Sequence, residues 1–75
     1  MTLTTLEHTL DLLRNDTTKI AYLEKAIPQL LRAEQRGATL ILANLYSLTH
    51  QFTKAAALYK KIGMNKEAVK ARMRL

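Results

Sequence analysis

The stretch ATLILANLYSLTHQFTKAAALYKKI, residues 38–62, decides the fold of this chain. It joins the most apolar run in the sequence to a second amphipathic run across one short break. From Gly37 to Thr53 there is no Asp, Glu, Lys or Arg, so the segment must be covered by protein. It is too short and too polar for a membrane span, which needs about 20 predominantly apolar residues. Asn44, Ser47, Thr49, His50 and Gln51 interrupt it. On a helical wheel, Ile41, Leu42, Leu45, Tyr46 and Leu48 occupy most of the circumference, and Thr39, Asn44 and Ser47 share the remaining arc. This pattern predicts a central helix over residues 38–48 and a turn at Thr49-His50-Gln51. A fourth helix then follows, with Phe52, Ala55, Ala56, Tyr59 and Ile62 inward and Lys54, Lys60 and Lys61 outward.

Working outward, Thr4-Thr5-Leu6-Glu7 has the spacing of a capping box. The first helix is expected to start there, with Leu6, Leu10 and Leu13 on one face, Leu3 ahead of the cap, and an end at Asn15-Asp16. A second helix follows Asp16 or Thr17, with Ile20, Leu23, Ile27, Leu30 and Leu31 on one face. Pro28 lies inside that pattern, removing one backbone hydrogen bond and crowding the carbonyl of Glu24. The expectation is one bent helix closed by Gly37 as C-cap; two short helices are the alternative. Beyond the hairpin, Gly63 ends the fourth helix and Asn65 caps a fifth. In that helix Ala68, Ala71 and Leu75 face inward, while Lys66, Lys70 and Arg74 stack outside at helical spacing.

Seventy-five residues, 48% apolar and 24% charged, predict one globular domain. A chain of this size buries only about 60% of the surface exposed when unfolded. A partner or a second copy would add to its stability. With no cysteine, disulfides and thiolate chemistry are excluded. The N-terminal sequence lacks the basic and apolar regions of a signal peptide, and a cytoplasmic location is expected. The net charge of +6 is unevenly placed. Acidic and basic residues cancel up to Gly37, whereas beyond it seven basic residues stand against Glu67. Such asymmetry points to an acidic partner.

The large and small positions Leu42, Ala43 and Tyr46, then Phe52, Ala55, Tyr59 and Ile62, resemble a tetratricopeptide repeat, a helix-turn-helix unit of about 34 residues. The resemblance covers one unit, about residues 37–65. Small Ala43 and Ala55 would let the two helices cross closely, with Tyr46, Phe52 and Tyr59 filling the space around them. Thr39 stands at the family's first-position Trp, His50 at its turn Gly, and no Pro closes the unit. The resemblance implies a scaffold that binds protein segments, with Leu40, Asn44 and Ser47 lining the groove. A carboxylate clamp is missing, because Leu40 is apolar.

Catalytic chemistry finds little support. His8 and His50 have no second ligand at metal-binding spacing, so no metal or cofactor is expected. Ser47 is the only serine and has no companion base in the sequence pattern, and no glycine-rich phosphate loop exists. Tyr46, Phe52 and Tyr59 fall on the apolar faces and read as core, not as a base-stacking platform. The exposed basic face, Lys54, Lys60, Lys61, Lys66, Lys70 and Arg74, reads as a solvated surface, an acidic-protein contact or a phosphate-binding footprint.

The expectation is therefore an all-α domain of four or five short antiparallel helices spanning residues 1–75. It would comprise N-terminal helices (1–36), a tetratricopeptide-like hairpin (37–65) and a basic C-terminal helix (66–75). Its expected role is non-enzymatic: a protein-interaction module, an adaptor or a small accessory subunit that meets another protein or a second copy of itself. A small basic nucleic-acid-binding protein is the alternative. Self-association or docking on a larger subunit is expected through an apolar patch on the first helix (Leu3, Leu6, Leu10) or at the exposed end of the hairpin.

Overall fold

The computed structural model describes residues 3–74, and of Leu3 the backbone alone. It is an all-α fold in the order α1 (Leu3–Leu12), α2 (Asp16–Ala26), a 3₁₀ turn (Ile27–Gln29), α3 (Arg32–Leu48), α4 (Phe52–Lys61) and α5 (Asn65–Met73). The helices make a slab of 34 × 27 × 15 Å. The central helix is α3, which packs against α1, α2, the 3₁₀ turn and α4; α5 lies along α4. No helix among the described residues is long and apolar enough to cross a membrane.

Leu6 and Leu10, one helical turn apart, are buried in the core. That placement overturns the apolar docking patch expected on the first helix, because both side chains are used inside; the Leu3 side chain lies outside the described residues. The helix already includes Leu3, so Thr4 is not its cap. Thr9 satisfies its own hydroxyl by donating from Oγ1 to the Thr5 carbonyl. Asn15 caps α2 instead. Its extended backbone (φ −125°, ψ 156°) lets Oδ1 accept from the Thr18 amide at 2.7 Å. Ile20, Leu23 and Ala26 then turn one face of α2 into the core.

The single bent helix expected through Pro28 is not formed. The α-helix stops at Ala26, the 3₁₀ turn carries the proline, and Leu30 and Leu31 are both extended, at ψ 154° and 146°. Proline lacks the N–H that would continue the ladder, and its ring crowds the preceding turn. The chain therefore leaves the helix and restarts at Arg32. Gln35 donates from Nε2 to the Leu30 carbonyl, and the amides of Glu34 and Gln35 both reach the Leu31 carbonyl. Gly37 consequently lies inside α3 and is not a C-cap. Leu31 is left 70% exposed in the link, and Leu48 is 68% exposed at the end of α3, so neither joins the core as expected. Thr39, placed on the polar arc by its chemistry, is buried.

Two turns of one kind follow. At the end of α3, the His50 amide donates to the Ser47 carbonyl and the Gln51 amide to the Tyr46 carbonyl. At the end of α4, Gly63 donates to Lys60 and Met64 to Tyr59. Both are Schellman motifs, which need a left-handed residue just past the cap. His50 supplies it at φ 62° and Gly63 at φ 80°. The second turn hands the chain directly to α5, where the Met64 carbonyl accepts from the Ala68 amide. Met64 rather than Asn65 is thus the cap position, and no side chain bonds there. Ala68 and Ala71 are buried as expected; Leu75 lies outside the described residues.

Candidate functional site

Among the described residues, no group of three or more His, Asp or Glu side chains is placed to hold a metal ion. His8 is exposed. His50 stands in its turn with the ring edge-on to Phe52, their centroids 5.6 Å apart.

The helical spacing of Leu40, Asn44 and Ser47 places them along one side of α3, but the neighbouring elements divide them. Leu40 lines a cavity of about 240 Å³ with Ala33, Arg36, Gly37, Ile62 and Met64. Ser47 lines another, about 110 Å³, with Tyr59, Glu67, Lys70, Ala71 and Arg74. Between them, the Asn44 Oδ1 accepts from the Tyr59 hydroxyl. That bond ties Asn44 to α4.

The six basic candidates are all exposed, in differing surroundings. Lys54 lies over the Tyr46 ring, its Nζ 5.6 Å from the centroid. The Arg74 guanidinium carbon lies 5.9 Å from the Phe52 centroid. Lys70 and Arg74 share the cavity beside Ser47. Lys66 and Lys70 flank Val69 on a shallow apolar face of α5, and Lys60 stands near the end of α4. Lys61 belongs elsewhere, in a groove on the α2 side of α3.

That groove runs between α2 with its 3₁₀ turn on one wall and α4 on the other. One end, about 310 Å³, is lined by Ile27, Arg32, Gln35, Arg36, Thr39, Lys61 and Ile62. The other, about 270 Å³, is lined by Glu24, Leu42, Tyr46 and Leu58, and again by Ile27, Thr39 and Lys61. The shared residues make the two spaces contiguous. Arg36 is fixed in the wall, since its Nε and Nη2 both donate to the Ile62 carbonyl at 3.2 and 3.1 Å. This carbonyl belongs to the C-cap of α4, so the guanidinium also satisfies a helix-end acceptor.

At the far end, the Tyr46 hydroxyl donates to Glu24 Oε1. Burial, then the hydrogen bond to Glu24 and the charge of that carboxylate, push the Tyr46 phenol up to about 12. A phenolate there would lose hydration and face a negative neighbour. Tyr46 therefore stays a proton donor at neutral pH and locks α2 to α3.

This groove was hidden in the sequence because a helix continuous through Pro28 assigns Arg32 and Arg36 to the second helix. Breaking the chain at Leu30-Leu31 moves both arginines onto α3, opposite Lys61. Pro28 was the available signal.

No family model, curated protein or solved structure matches this chain.

Proposed function

We propose that this chain is a non-enzymatic protein-interaction module of tetratricopeptide-like build, acting as an adaptor or a small accessory subunit. The observation that carries the reading is a thin slab of helices that leaves the large apolar side chains Leu12, Leu31, Leu48, Val69 and Met73 exposed and that also carries open grooves. A slab 15 Å thick leaves both faces of its central helix near the surface, the geometry of a scaffold that completes its core against another protein. The tetratricopeptide comparison is supported by the fully buried Ala43 and Ala55 and by the left-handed backbone of His50, which occupies the family's turn-glycine position.

The test is a pull-down from the native source with the intact chain as bait, with and without nuclease. A protein retained stoichiometrically after nuclease treatment supports the reading. Loss of all capture on nuclease treatment favours the second reading, a nucleic-acid-binding protein using the exposed residues Lys54, Lys60, Lys61, Lys66, Lys70 and Arg74. Direct binding to that protein or oligonucleotide in purified form then decides between them.

A further inference from the structure

We propose that the groove between α2 and α4 binds an acidic-apolar peptide segment of a partner protein, with its carboxylates over Arg32 and Lys61. The segment's apolar side chains lie on Ile27, Leu42 and Leu58. The inference rests on the protein-interaction reading and narrows it to one surface and one ligand chemistry. Three features of the groove carry it.

The first is charge. Arg32 rises from the start of α3 and Lys61 from the end of α4, so two exposed cations on different helices line the same space. Arg36 adds a third positive group, held in place by the Ile62 carbonyl. Convergent cations on rigid elements complement carboxylates and hold them in register. The second is the apolar lining, where Ile27, Leu42 and Leu58 leave surface for an aliphatic side chain. Thr39 lies at the junction of the two ends.

The third is polarity along the groove. Glu24 closes the end opposite Arg32 and is engaged by the Tyr46 hydroxyl. A nucleic-acid backbone carries a phosphate at every step and would bring one against Glu24. A peptide can place its acids at the Arg32 end and a neutral residue at the Glu24 end. The asymmetry therefore favours a peptide and sets the end of the groove that receives its acids.

The probe is the blocked peptide acetyl-Asp-Glu-Glu-Leu-Leu-Gly-amide, titrated into the isotopically labelled chain, with a counterpart carrying lysines in place of its acids. The expected result is perturbation of the Thr39, Leu42 and Leu58 amides by the acidic peptide alone. Arg32→Gln with Lys61→Gln should weaken that binding at least about tenfold. Lys66→Gln with Lys70→Gln, which removes the same charge from α5, should leave it within about twofold. Unchanged circular dichroism and melting of both variants separates lost binding from lost fold.

Equal binding of the two peptides, an equal loss in both variants, or no binding overturns the proposal. Perturbations confined to Leu40, Asn44 and Ser47 also overturn it, but leave the protein-interaction reading intact. A single-stranded oligonucleotide that perturbs the groove amides while the peptide does not would assign the groove to nucleic acid. Concentration-dependent self-association abolished by Arg32→Gln with Lys61→Gln, without peptide binding, would assign it to a second copy. Failure of the pull-down with retained peptide binding would instead count against the adaptor role and not against the groove.

Discussion

The N-terminal part of the molecule fills its share of the core with Leu6, Leu10, Ile20, Leu23 and Leu30 and a single alanine, Ala26, whereas the part from Ala38 onward sets six alanines, Ala38, Ala43, Ala55, Ala56, Ala68 and Ala71, around Leu42, Leu45, Tyr46 and Tyr59. Long side chains bridge a wide gap between elements, while alanines let helix backbones approach. Accordingly α4 packs extensively against both α3 and α5, and α1 meets α3 over a short stretch. The two parts should therefore fail in opposite ways, one by losing atoms and the other by gaining them.

The largest effect is expected at Leu23, whose side chain is completely buried between α2 and the core. Leu23→Ala should destabilise the fold by about 2–5 kcal/mol, the sum of lost transfer energy and an unfilled cavity. Chemical denaturation measures this directly. A loss below about 1 kcal/mol would show that α2 can settle into the space and that the N-terminal part is not held by side-chain volume.

Ala55 is its counterpart in the alanine-packed part, also with no exposed surface. Ala55→Leu should cost about 1–3 kcal/mol by forcing α4 away from its neighbours. A change of only a few tenths would mean that the hairpin has room to spare.

The seam between the two parts is the Tyr46–Glu24 hydrogen bond, and Tyr46→Phe should cost about 1 kcal/mol at pH 7. Because the phenol is raised from 10.0 to about 12 in the folded chain, the stability it contributes is fully present below pH 10. It falls as pH rises through 12, since the unfolded chain ionises first. The stability difference between the native chain and Tyr46→Phe should therefore shrink over that interval. A constant difference would break the assignment.

The paired turns give a smaller effect within the alanine-packed part. A Cβ at Gly63 would meet nothing within 4 Å, so Gly63→Ala should cost about 1 kcal/mol through backbone strain at φ 80° and nothing through clash. The reverse change, His50→Gly, relieves the same strain at φ 62° but loses the edge contact with Phe52. Its net gain should stay below about 1 kcal/mol. Thermal melting of the two variants compares them directly.

The same contrast explains what was legible in the sequence. The hairpin could be read because Ala43, Ala55, Tyr46 and Tyr59 lie on strictly helical spacing and the turn between them is short. Gly63 signalled its stop by chemistry that the structure uses. The N-terminal part was harder because Ile20, Leu23, Ile27, Leu30 and Leu31 keep a helical rhythm across Pro28, and rhythm alone does not separate a bend from a break. Two extended residues, Leu30 and Leu31, settle the matter. Gly37 then enters α3 because burial of Ala38, Thr39 and Leu42 on the same helix outweighs a penalty of about 1 kcal/mol for an interior glycine. The candidate groove inherits this difficulty, since its arginines belong to α3 only once the break is known. Leu40, Asn44 and Ser47 were visible as a helical row, but the Asn44–Tyr59 bond and the separate cavities beside Leu40 and Ser47 depend on tertiary placement.

The smallest expected change in stability distinguishes the groove from the rest of the basic surface. Lys60 and Lys61 are adjacent in sequence and both exposed in the last turn of α4, yet only Lys61 lines the groove with Ile27 and Thr39. Adjacent residues on a helix point about 100° apart, so the two charges address different surfaces. Each single change to Gln should alter stability by less than about 0.5 kcal/mol, because an exposed cation contributes little to folding and a helix C-terminus adds only a few tenths. Calorimetry with the acidic peptide should nevertheless separate them, with Lys61→Gln weakening binding several-fold and Lys60→Gln leaving it almost unchanged. Equal weakening by both would mean that the peptide senses the overall charge of α4 and α5 and not the walls of the groove.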